Sequence, residues 1–165
     1  MRTNILILLC AIGVAFLLTG CPYASKVPIA GPDVEINKQL LGKWVKSDEA
    51  SSENPEFYEI NEYDKFKYEI VKNSWNSSDS TYTKEKYISH LTIIDDITFI
   101  NMQKDGTGDY YLHKIEIAEK DFTLYEVTDN IDEAFNTSEE LYAFVKKHMH
   151  LSFFYNKDEV KYFKQ

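Results

Sequence analysis

Phe66, Tyr68 and Ile70 alternate with Lys65, Lys67, Glu69 and Val71, a period-2 pattern that predicts a strand with one face in a core. Phe57–Tyr63 before it reads as its hairpin partner, and the Asn- and Ser-rich stretch Asn73–Ser80 as an exposed loop. Tyr82–Ile94 then predicts a long strand, with Asp95-Asp96 as the turn into Ile97–Gln103 and Lys104–Asp109 as the turn after it. Tyr110–Ala118 and Phe122–Thr128 form a further hairpin around Glu119-Lys120-Asp121, and Ser152–Tyr155 with Glu159–Phe163 a last one around Asn156-Lys157-Asp158. One segment changes period. Leu141, Phe144, Val145 and His148 share a helical face, Thr137 with Glu140 fits a capping box, and Lys146, Lys147 and His148 suit the negative end of the helix dipole. The pattern predicts a mainly β protein: a small antiparallel up-and-down barrel of about eight strands, with one helix near the C-terminus packed on the sheet. No long crossovers of the kind parallel strands need are present.

The amino terminus follows another rule. Of the 14 residues Ile5–Leu18, 13 are hydrophobic, and Arg2 precedes them. Such a run matches the core of a signal peptide and is short for a bilayer span. Residues 1–20 are therefore expected to be removed. The 145 residues that remain carry 17 Lys+Arg against 27 Asp+Glu, a net charge of −10, and 23 of them are aromatic. This acidity, without a Lys/Arg cluster, argues against nucleic-acid partners, whose phosphates would have to be neutralised. Leu, Ile, Val and Phe supply 35 of the 145, enough for one core and for folding as a monomer. Residues 21–39, with Pro22, Pro28, Gly31 and Pro32, read as a flexible tether and 40–165 as the barrel domain. The nineteen steps from Cys21 to Leu40 could reach ~60 Å if fully extended. Whether Val27 and Ile29 hang in that tether or pack on the domain's outer wall stays open.

Leu18-Thr19-Gly20-Cys21 closely resembles the lipobox of bacterial lipoproteins. The resemblance implies cleavage before Cys21, acylation of its thiol by palmitate-type chains and acylation of the new amino terminus. Two or more chains anchor stably where one is marginal. Cys10 would leave with the signal peptide and Cys21 be consumed, so the folded domain would hold no thiol and no disulfide. Pro22 stands where an Asp would favour inner-membrane retention, and no acidic run follows. The expected address is the cell envelope, on the periplasmic face of an outer membrane. Leu40-Leu41-Gly42-Lys43-Trp44-Val45 in turn resembles the opening of lipocalin-like and related calycin barrels, in which a Gly-x-Trp sits on the first strand. The resemblance implies that Trp44 closes one end of the barrel while Gly42 allows close backbone approach. Residues 40–165 make a smaller barrel than a full lipocalin.

Candidate chemistry is sparse. His148 and His150 are two apart, and His90 and His113 have no partner nearby, so no zinc spacing is present. Asp105-Gly106-Thr107-Gly108-Asp109 lacks the Asp series and distal Glu of a calcium loop. No Gly-x-Ser-x-Gly elbow, phosphate loop or paired nucleophile and base occurs. The sequence thus points to a non-enzymatic protein with no metal and no cofactor. Its aromatic side chains can line a pocket or fill the barrel. The leading expectation is a binding protein for a small apolar or amphipathic ligand, with Phe66, Tyr68, Tyr87, Phe99 and Tyr111 as wall residues. The alternative is a protein-interaction module, such as an inhibitor, an immunity-type protein or an envelope assembly factor, with a filled barrel and an acidic, Tyr-rich face.

Overall fold

A computed structural model describes residues 23–128 and 130–165. The expected signal segment and Cys21 lie outside them. Nine antiparallel strands form one sheet: β1 (Ala24–Ser25), β2 (Gly42–Lys46), β3 (Phe57–Glu62), β4 (Tyr68–Asn76), β5 (Thr81–Ile94), β6 (Ile97–Lys104), β7 (Tyr110–Ile117), β8 (Asp121–Glu126) and β9 (Val160–Lys164). Each strand from β2 to β9 pairs with the next, and β9 returns to β2 through Trp44↔Lys164, Val45↔Phe163 and Lys46↔Tyr162. Eight strands therefore close into an up-and-down barrel, which leaves no open edge among them. β1 is the ninth, laid beside the start of β7 through Ala24↔Tyr111 and Ser25↔Tyr110.

Inward and outward positions alternate along every strand, and the two faces feed two cores. Trp44, Ile60, Tyr68, Ile70, Leu91, Ile100, Ile115, Phe122 and Leu124 fill the barrel. On the outer wall of β5–β7, Ile94, Phe99 and Leu112 lie under the helix α1 (Ser138–His148) and the segment around Ile29. Thr137 caps α1 by accepting from the Glu140 amide at 3.3 Å, as the Thr-x-x-Glu spacing predicts, and Leu141 and Val145 are its buried anchors. Among the described residues no helix is long and apolar enough to cross a membrane.

Three details depart from the sequence reading. Asn73–Asn76 continue β4 instead of looping, with Asn73 buried and bonded to the Val71 carbonyl at 3.2 Å. Ladder pairing to β3 and β5 overrides the loop-like composition there. Ser152–Phe154 form a 3-10 turn, and β9 pairs with β2 and β8 in place of a terminal hairpin. The stretch before Leu40 is docked, since Ile29 is 0% exposed and its amide donates to Asn101 Oδ1 at 2.8 Å. The outer-wall alternative for Ile29 is the one the structure adopts. Asn101 also bonds Thr92 Oγ1 at 3.0 Å, and His90 Nε2 meets the Ala30 carbonyl at 2.7 Å. These buried polar partners give the segment a fixed register on the wall.

Candidate functional site at the barrel mouth

The two ends of the barrel differ in chemistry. One is closed. The turn Lys38–Leu40 crosses it, and Trp44, fully buried, donates from Nε1 to the Leu40 carbonyl at 2.7 Å. Gly42 sits at φ +125°, in a region that disfavours any side chain, and a Cβ there would meet Lys164 Cε at 3.4 Å. Tyr68 belongs to this end, with its hydroxyl accepting from the Asn37 amide at 2.5 Å, and burial pushes its pKa up to about 12. From Trp44 a column of rings climbs the interior: Phe122 at 4.8 Å, Tyr162 at 5.0 Å from Phe122, and Tyr58 stacked on Tyr162 at 4.7 Å. The apolar half beside this column is packed solid, with a residual void of only about 10 Å³. That is about one water's space.

The other end is open and polar. Following the inward row of each strand toward it, Ile60 gives way to Tyr58, Ile70 to Lys72, and Leu91 to Tyr87 and Glu85. Likewise Met102 gives way to Lys104, Ile115 to His113, and Leu124 to Glu126. These residues surround a cleft of about 290 Å³, lined by Tyr58, Lys72, Glu85, Tyr87, Lys104, Tyr111, His113 and Glu126. A second lobe of about 260 Å³ shares Tyr58, Lys72, His113 and Glu126 and runs on toward Glu56 and Tyr162. The combined mouth is of ligand-binding size.

Its charges are largely paired within the wall. Lys72 bridges to Glu56 at 3.1 Å, Lys104 binds Glu85, and Glu126 accepts from Asn156 Nδ2 at 2.8 Å. The hydrogen bond from Lys104 outweighs burial and lowers the Glu85 pKa, so that pair is ionised at neutral pH. His113 is the exception. Its Nδ1 is buried without a hydrogen-bond partner, and burial together with the nearby Lys72 pushes the ring down to about 4. The ring of His113 lines the cleft as a neutral imidazole, with its Nδ1 shielded from solvent.

The sign of this shift sets a pH dependence. An unfolded imidazole titrates near 6.5, so on acidification the unfolded chain takes up the proton before the folded one. The stability contributed by neutral His113 is complete above pH ~6.5 and is lost as pH falls toward ~4. Denaturant unfolding at pH 7 and pH 5 should therefore show a less stable protein at the lower pH, and His113→Gln should shrink the difference. A ring titration by NMR with a midpoint near 6.5 would contradict the assignment.

Of the five wall residues expected from the sequence, Tyr87 and Tyr111 line this mouth, their rings 6.3 Å apart and edge to face. Tyr68 faces inward at the opposite, filled end. Phe99 is corrected: it points outward from β6 into the core beneath α1. Phe66 is corrected too, because it lies in the turn before β4, half-buried, with Lys65 Nζ 5.3 Å from its ring. The sequence reading missed Tyr58, Lys72, Glu85, Lys104, His113 and Glu126. The signal that would have found them is the change from apolar to polar along each inward row. No protein family, curated protein or solved structure matches the chain.

Proposed function

We propose that this is a non-enzymatic envelope lipoprotein, tethered through acylated Cys21, whose lipocalin-like barrel binds a small amphipathic molecule at its mouth. One observation carries the reading. The sizeable space inside the barrel is confined to the tyrosine-walled, charge-paired mouth, while the apolar half is filled. An entirely apolar ligand has no room below Ile70 and Ile100, whereas a molecule with a polar group finds Lys72, Lys104, Tyr87, Tyr111 and the neutral ring of His113 around it. Paired charges suit such a site, since each wall carboxylate is already satisfied and a ligand need not neutralise it. The open mouth above a filled apolar half supports this reading over a protein-interaction module with a barrel filled throughout.

The test is a titration with 1-anilinonaphthalene-8-sulfonate, an amphiphile bearing one anionic group. The intact protein should bind it saturably, and Lys72→Met or Tyr111→Ala should weaken binding by about tenfold, equivalent to 1.4 kcal/mol. Trp75→Ala, on the outer face, should leave it unchanged. Equal affinity in all three variants would move the site elsewhere.

A further inference from the structure

We infer that the open end of the barrel, and not its closed end, lies against the bilayer that holds Cys21; the inference rests on the anchoring reading above. The chain is fastened to the mouth end directly after that residue. Ala24 pairs with Tyr111, which lines the cleft, Ser25 pairs with Tyr110, and Lys26 Nζ bridges at 2.5 Å to Asp109 in the turn joining β6 to β7. Cys21 precedes Ala24 by three residues, a leash of at most ~10 Å. The opposite turn, around Glu119, lies eight residues along the chain from Tyr111, which is ~26 Å along the strand and ~20 Å along the barrel axis at a usual tilt. Because β1 runs antiparallel to β7, an extended leash leads from Ala24 back along the wall away from the mouth, and its ~10 Å still falls short of the ~20 Å to the closed-end turn. The anchor is therefore confined to the mouth half of the barrel wall and does not reach the Trp44 end.

A second feature fits the same side. The β4–β5 hairpin projects beyond its neighbour, because β5 pairs with β6 only from Tyr87 onward and its residues Thr81–Lys86 pair with β4 alone. Its outer face carries Trp75, Tyr82 and, from β3, Phe57, with ring centroids 5.1 Å and 5.2 Å apart, and Trp75 remains 36% exposed. Trp and Tyr favour the membrane–water interface, where one edge of the ring is wet and the other apolar. In this orientation an amphiphile of the anchoring bilayer can place its polar group in the cleft while its tail stays among the lipids. The filled interior then needs no tail-sized cavity.

The experiment uses the acylated full-length protein in phosphatidylethanolamine/phosphatidylglycerol vesicles containing an energy-transfer acceptor on the lipid headgroup. A donor dye is placed at Thr107→Cys, in the mouth-side β6–β7 turn, or at Glu119→Cys, in the closed-end turn. Transfer should report the Thr107 dye closer to the headgroups than the Glu119 dye, by ~20 Å when the barrel axis stands upright on the bilayer. Equal distances, or a closer Glu119 dye, would overturn the orientation even with the protein firmly anchored. Membrane attachment that survives Cys21→Ser would instead remove the anchoring premise, and the orientation with it.

Discussion

Trp44→Ala is expected to destabilise the protein by about 3–5 kcal/mol, the cost of emptying a large aromatic site in a core that cannot collapse around it. Trp44 is 0% exposed and is the base of the ring column that runs through Phe122 and Tyr162 to Tyr58. Its indole nitrogen also satisfies the Leu40 carbonyl, so the variant leaves a buried acceptor unpaired at the point where the chain crosses the barrel end. Lys164 Nζ, 5.2 Å from the ring centroid, loses its aromatic partner as well. A domain of this size has about 5–15 kcal/mol of stability in all, so the variant should unfold at much lower urea. Trp75→Ala, at a partly exposed ring on the hairpin, is the matched control and should cost under ~1 kcal/mol. Similar urea midpoints for the two variants would show that Trp44 does not hold the closed end.

Cys21→Ser is expected to move the protein from the membrane fraction to the soluble fraction almost completely. The reason is arithmetic. Burying each acyl methylene is worth about 0.8 kcal/mol, so two or more chains on Cys21 would hold the protein where no polar surface contact could. The remaining candidate for attachment, the aromatic hairpin around Trp75, is a small patch and would give at most weak, salt-insensitive association. Fractionation of cells expressing the variant, read beside Trp75→Ala, checks this. A membrane fraction unchanged by Cys21→Ser would contradict the lipid anchor.

Much of the architecture was legible in the sequence, because period-2 alternation and turn residues report directly on half-buried strands. The up-and-down order and the capped helix follow from such local signals, whereas the closing role expected of Gly42 and Trp44 came from the resemblance to lipocalin-like barrels. What local signals could not convey was the wall beneath the helix. Phe99 alternates as a wall residue should, yet a barrel wall covered on its outer side offers apolar environments on both faces, and parity alone does not separate them. Ile29 was ambiguous for the same reason, since its burial depends on Asn101, seventy-two residues away. Asn73 carries loop chemistry in a place where two neighbouring strands complete its ladder. Of the eight residues named at the mouth, two tyrosines, Tyr87 and Tyr111, were visible in the sequence. The charged ones were not, because Lys72, Glu85 and His113 look like ordinary outward residues until the closure of the barrel turns their rows inward.

Central to this account is a mouth that holds a small amphipathic molecule. Native mass spectrometry of the full-length protein, extracted from its own cells in mild detergent, tests it most directly. A population carrying one small-molecule adduct on the acylated protein is expected, with the adduct greatly reduced in Lys72→Met and retained in Trp75→Ala. A bare acylated mass in all three proteins would contradict it.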